Sequence, residues 1–291
     1  MTRRTLVTCG LAAALGAGLL VPTAPPAGAT AAPLTAYPTT AAAMRAAGAP
    51  YAAWVDDGRQ FLEFDPHGDG RVVEVVGDLS TATRVAVLVP GVDTTLATFT
   101  SGLGGVARRA PATQARALYA AARDADPAAR VAVVAWLGYD PPDGLGLDAA
   151  REARAATGAR ALDAFVDWLA ASYPGATVTL VGQSYGAVVV GLAAPALPPQ
   201  VTGLVALGAP GMGADDVADL HTRATVYAAL APADWIRRVP QVRILGLGLG
   251  TRPADPSFGA VPLPTAGVAG HDFYFSPGSA TLPALARVVT R

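Results

Sequence analysis

The stretch Thr177-Val-Thr-Leu-Val-Gly-Gln-Ser184-Tyr-Gly-Ala-Val-Val-Val-Gly191 decides how the rest of the chain is read. The β-branched run at 177–181 predicts a buried strand, and residues 187–194 predict a helix packed on a sheet. Between them, Gly182-Gln-Ser184-Tyr-Gly186 places a serine on a strand-to-helix junction. Such a turn is tight and strained, so the residues two positions to either side must lack bulky Cβ substituents. It lifts the Ser184 hydroxyl above the sheet edge. It also aims the amide of Tyr185 and the N-terminus of the next helix at any oxyanion that develops there. The pentapeptide alone is a modest signal; its place between a strand and a helix makes Ser184 a candidate nucleophile.

The composition sets the outer bounds. At 291 residues, 52% apolar and 15% charged, the chain is long and apolar enough for a sizeable core. Its net charge of −1 leaves no electrostatic footprint for nucleic acid or anionic lipid. All 21 basic residues are arginine and asparagine is absent, a pattern of coding bias that also removes any N-glycosylation sequon.

Residues 1–29 have the layout of an export signal. Arg3-Arg4 supplies positive charge, 11–21 is an apolar run, and Ala27-Gly-Ala29 is an A-x-A cleavage site, so the mature chain is expected to begin near Thr30. Paired arginines favour the twin-arginine route, although a Sec signal could look the same. The apolar run is too short to span a bilayer, so no integral membrane segment is expected in the mature protein. Cys9 precedes the apolar run, opposite to the order in a lipoprotein signal. Because it is the only cysteine, no disulfide, thiol nucleophile or cysteine-based metal site is expected after cleavage.

Residues 30–59 read as a flexible lead-in with a short Ala-rich helix at 39–47. The domain proper is expected over 60–291, beginning with a hairpin of strands at 60–64 and 71–76. Its turn, Asp65-Pro-His-Gly-Asp-Gly70, superficially matches the start of a calcium loop, but the twelfth position is Val76 where a bidentate glutamate is needed. From 84 onward, strands (85–89, 131–136, 177–181, 203–208, 225–230, 242–246) alternate with helices (111–126, 148–173, 187–194, 279–290). That alternation predicts an α/β fold with a mainly parallel sheet covered by helices on both faces.

In such a sheet, chemistry collects beyond the carboxyl ends of the strands. An activated serine needs a base in reach and an acid to orient the base. Three histidines are available. His67 lies in the hairpin turn and His221 in a short polar helix beginning near Asp215, and both read as surface residues. His271 lies in the loop between the last strand and the last helix, where the base belongs. The acid is Asp234, after the 225–230 strand, or Asp255, one strand later; Asp234 is favoured because Asp-Pro is a common turn device. A second oxyanion donor is expected in the loop after 85–89, with Val92 the best candidate and Gly91 allowing close approach. Loops 138–147 and 250–270 are expected to wall the pocket. Their apolar residues Leu145, Leu147, Phe258, Val261 and Leu263 point to an acyl or aromatic group.

The ordered pieces Phe64-Asp-Pro, Val89-Pro-Gly91, Ala135-Trp-Leu-Gly-Tyr-Asp-Pro141, Gly182-Gln-Ser-Tyr-Gly186, Leu207-Gly-Ala-Pro-Gly211, Asp234-Trp-Ile236, Phe258-Gly-Ala260, Gly270-His271 and Tyr274-Phe275 carry a resemblance. Together they resemble an actinobacterial α/β-hydrolase family of secreted proteins, distantly similar to lipases and cutinases. One departure is Gln183, where that family usually has histidine. The resemblance implies an α/β-hydrolase fold and an esterase-like serine hydrolase acting on small-molecule or lipid esters. No metal or organic cofactor is expected. An acyltransferase or peptidase with the same triad, or a non-catalytic binding protein of the same fold, are the alternatives.

Overall fold

A computed structural model describes residues 33–241 and 248–291. Residues 1–29, expected as the export signal, and the strand expected at 242–246 lie outside them. The chain forms helices α1 (Pro33–Ala47) and α2 (Tyr51–Asp56), then strands β1 (Gln60–Asp65), β2 (Arg71–Gly77) and β3 (Arg84–Val89). Helix α3 (Pro111–Ala125), β4 (Val131–Leu137), α4 (Ala153–Ser172), β5 (Thr177–Gln183) and α5 (Gly186–Ala193) follow. Strands β6 (Val201–Leu207), β7 (Thr225–Ala229) and β8 (Val261–Pro262) and helix α6 (Thr281–Val289) complete it.

Among the described residues, eight strands form one sheet in the order β1-β2-β4-β3-β5-β6-β7-β8. The pairs β1–β2 and β2–β4 are antiparallel, and every pair from β4 to β8 is parallel. Alternate residues of the buried strands serve opposite faces, as the period of two requires. Val85, Val87 and Val89 join the core beneath α4 and α5. Ala86 and Leu88 join the core beneath α3 and α6. Continuous valine-rich runs are the consequence of burial on both faces. The central position of β5 puts the turn that follows it in the middle of the sheet's carboxyl edge.

The largest departures from expectation are at the starts of two helices. Helix α1 begins at Pro33 and lies against β1 rather than trailing. Met44 is fully buried with Trp54, Phe61 and Phe99, and Thr40 donates to the Leu62 carbonyl of β1 at 3.2 Å. Helix α4 begins at Ala153 rather than 148, because the Tyr185 phenol caps it there. Its hydroxyl accepts from the Ala155 amide (3.1 Å) and donates to the Arg151 carbonyl (2.6 Å), serving groups left open at a helix start. Among the described residues β7 also pairs with a short strand outside the expected set, β8 at 261–262.

Candidate active site

Ser184 occupies the turn between β5 and α5 with φ +54°, a left-handed conformation that costs a residue with a Cβ about 1–3 kcal/mol. Neighbouring chain segments hold it there. Its amide donates to the Leu207 carbonyl of β6 at 2.9 Å. A Cβ on Gly182 would sit 2.4 Å from the Ala187 Cα, and one on Gly186 would sit 2.1 Å from the Val89 carbonyl oxygen. The two flanking glycines of the pentapeptide are therefore steric requirements of this turn. Gly91, on the loop after β3, comes as close: a Cβ there would lie 2.8 Å from that of Ser184.

Next to Gly91 is Val92. Among the described residues, neither the Val92 amide nor the Tyr185 amide donates to a protein acceptor. Both residues and Ser184 line one cavity. Open amides at the start of α5 and on the adjoining loop are what anion stabilisation requires. The Val92 loop is braced by the Tyr139 hydroxyl, which donates to the Pro90 carbonyl (2.6 Å), and by the Asp93 amide, which donates to the Pro142 carbonyl (3.0 Å).

Asp234 and His271 come together although 37 residues separate them. Both carboxylate oxygens lie 3.0 Å from His271 Nδ1. An ionised carboxylate only accepts, so Nδ1 carries the proton and Nε2 is left as the basic nitrogen. Asp234 Oδ2 also accepts from the Tyr274 hydroxyl (2.6 Å), and Oδ1 accepts from the Ile236 amide (2.9 Å). Burial, the largest single influence on this carboxyl, pushes its pKa up. The hydrogen bonds and charge of His271, with those of Tyr274 and Ile236, outweigh it and hold the value below 3.8. The Tyr274 hydroxyl is pushed well above its ordinary range, by burial first and by the bond to Asp234 second.

His271 and Ser184 line the same cavity. Among the described residues, the ring's hydrogen bonds run to Asp234 and none joins it to the Ser184 hydroxyl. Asp255 is elsewhere: its carboxylate takes the amide and hydroxyl of Ser257, at 3.0 and 2.8 Å. His67 is 91% exposed and pairs with Asp65, while His221 is exposed at the end of a 3-10 turn, Ala218–Leu220. Of the expected pocket walls, Leu145 and Leu147 line cavities beside Ser184. Phe258 does not; it is fully buried in the core beneath α4 and α5, where apolar burial claims the ring. Val261 lies in β8, paired with Tyr227 of β7, and the Leu263 amide just after it donates to the Ala228 carbonyl at 2.8 Å; neither lines the cavities at Ser184.

Several contacts around the site escape a reading of the sequence. Gly208, after β6, has φ +56°, and a Cβ there would lie 2.7 Å from Asp234 Oδ2 and 3.1 Å from His271 Nδ1. Trp235 lies against the His271 ring with centroids 5.0 Å apart. Arg109 Nε pairs with Asp272 Oδ2 at 2.5 Å, while the Arg108 guanidinium lies 4.4 Å above the Phe273 ring, so consecutive arginines clasp the histidine loop. Tyr274, Trp235 and Gly208 do fall inside the quoted sequence pieces; nothing in those pieces discloses their contacts.

A family model described as alpha/beta hydrolase matches residues 65–244, more than half of the chain. An uncharacterized protein of Mycobacterium tuberculosis is 30% identical over 251 residues, covering 77% of this chain and 37% of its own length. Another from that species is 34% identical over 160 residues, covering 53% of this chain and 58% of its own length. The chain thus spans less than two thirds of the length of either relative. Among solved structures, dienelactone hydrolase from Anabaena variabilis superposes with a TM-score of 0.45 at 19% identity, covering 80% of this chain and 95% of its own.

Proposed function

The chain belongs to the alpha/beta hydrolase family, and from that premise we propose that it is a serine hydrolase of carboxylic esters working through an acyl-enzyme. The observation that carries this reading is the buried Asp234 carboxylate held against His271 Nδ1, on a ring that shares a cavity with the strained Ser184. With Nδ1 protonated, Nε2 takes the Ser184 proton as Oγ bonds to the ester carbonyl carbon. The carbonyl electron pair moves onto oxygen, where the Val92 and Tyr185 amides receive it. As the tetrahedral adduct collapses, the carbon–oxygen bond to the alcohol breaks and Nε2–H protonates the leaving oxygen. Water then repeats the sequence on the acyl-enzyme, releasing the acid and restoring Ser184. The missing Ser184–His271 bond does not oppose this, since such contacts commonly tighten only when substrate is bound.

Fluorophosphonate labelling of the purified protein tests the reading. Wild type is expected to label, and Ser184→Ala and His271→Ala to lose the label. A folded wild type that stays unlabelled would favour the binding-protein alternative. Export is proposed on the layout of residues 1–29. Protein recovered outside the cell is expected to begin near Thr30, and one that retains Arg3-Arg4 would overturn it.

A further inference from the structure

Two cavities meet at Ser184, and they differ in chemistry. One, of about 290 Å³, is lined by aliphatic and proline side chains with Trp235. Its only hydroxyls are those of Ser184 and of Tyr185, whose phenol is spent on the start of α4. The other, of about 230 Å³, has a mixed lining and is the more polar of the two: Thr94, Thr98, Arg109, Gln114, Gln183 and Asp272 stand there beside Pro90 and Leu103. His271 lines the polar cavity and not the apolar one. Val92, Leu145, Ser184 and Trp235 line both.

From this division we propose that the substrates are esters of an apolar acid of medium length with a neutral, hydroxyl-rich alcohol such as a polyol or sugar. The proposal rests on the serine-esterase reading above and adds which half of the ester occupies which cavity. The leaving oxygen must receive its proton from His271 Nε2, so the alcohol lies on the histidine side, among the polar groups. The acyl chain then has only the apolar cavity. That cavity is at the small end for ligand sites, so a chain of moderate length fills it and a longer one runs out over its rim. The rim is itself apolar: Leu145 is 65% and Leu147 64% exposed, and such large exposed side chains are concentrated around these cavities in the described residues.

The polar cavity does not call for an anionic alcohol. Its one arginine is already paired with Asp272, and Asp93 adds a further carboxylate, so no positive charge is in excess. Neutral hydroxyls, which both donate and accept, match the mixed set of amide, hydroxyl and ion-pair groups found there.

A crossed specificity experiment decides it. Octanoyl and acetyl esters of glucose and of ethanol are assayed with wild type, Ala149→Phe and Arg109→Ala, each checked for labelling and thermal unfolding. Ala149 lines the apolar cavity, and a phenylalanine there is expected to lower the octanoyl-to-acetyl ratio of kcat/KM by about tenfold or more, with either alcohol. Leu147→Asp, at an exposed rim position that cannot disturb the core, is expected to move that ratio the same way. Arg109→Ala is expected to lower the glucose-to-ethanol ratio instead, leaving the acyl ratio in place. Labelled enzymes whose acyl ratio responds to Arg109→Ala and not to Ala149→Phe or Leu147→Asp would reverse the assignment. Labelled enzymes in which neither ratio moves would also overturn it, leaving the esterase reading intact. A folded but unlabelled wild type would remove both.

Discussion

The tripeptide Pro-Ala-Asp occurs twice, at 232–234 and at 253–255, and both copies fold alike. Asp234 has φ −76° and ψ 127°, Asp255 φ −73° and ψ 133°; each caps a 3-10 turn by accepting from the amide two residues on. The backbones are interchangeable, and what surrounds them is not. Asp234 is 2% exposed, and its remaining acceptor capacity goes to His271 and Tyr274. Asp255 is partly exposed and spends its capacity on the Ser257 hydroxyl next to it. A local motif therefore specifies a cap. Only the chain segments brought against the outer carboxylate oxygens convert one cap into the partner of a base.

The sharpest way to break this comparison is to remove the charge from both. Asp234→Asn is expected to cut kcat on an ester substrate by about four orders of magnitude, because the ring loses its imposed tautomer and the imidazolium its counter-charge. Asp255→Asn is expected to keep wild-type kcat/KM. Equal losses would mean that the acid has been misassigned. Next comes Gly208→Ala, which adds a methyl group only on the Asp234 side. It meets the carboxylate at 2.7 Å from backbone already at φ +56°, so kcat is expected to fall about a hundredfold through displacement of the Asp234–His271 pair. Wild-type activity in that variant would show that the pair tolerates movement.

Tyr274→Phe sharpens the comparison by deleting one donor to Asp234. Loss of a hydrogen bond to a charged acceptor is expected to cost about 1.5–3 kcal/mol of stability, and kcat/KM about tenfold, read by denaturant unfolding and ester assay. The pH dependence has a definite sign. The Asp234 pKa lies below 3.8 in the fold, so its stabilisation is fully present above 3.8 and is lost as pH falls through the folded value. Removing the Tyr274 donor raises that folded value, so acid unfolding should begin at higher pH in the variant. The smallest effect belongs to the other turn. Asp255→Ala removes only a cap and is expected to cost about 0.5–1 kcal/mol in thermal or denaturant unfolding, with ester turnover unchanged.

Much of the molecule is legible in its sequence. The valine-rich strands announce themselves because a sheet buried on both faces needs apolar residues at every position, and α3 and α5 follow from their spacing between strands. The Ser184 turn is legible because its geometry forbids a Cβ at Gly182 and Gly186, and that prohibition leaves a pattern within five residues. The late start of α4 is not, since the Tyr185 phenol that caps it comes from 30 residues further along. Nor is the packing of α1, whose alanines show little until Met44 meets Trp54 and Phe61.

By itself, the sequence determined the succession of strands and helices, the strained serine turn, and a short set of acids and bases that could serve it. Those are consequences of periodicity and backbone sterics, which act between near neighbours. Only the tertiary structure decided that Asp234 and not Asp255 meets His271, that Gly208 and Tyr274 enclose that pair, and that a polar and an apolar cavity meet at Ser184. Hydrogen bonds and burial depend on which distant segments the sheet order brings together, and two identical tripeptides carry no record of that.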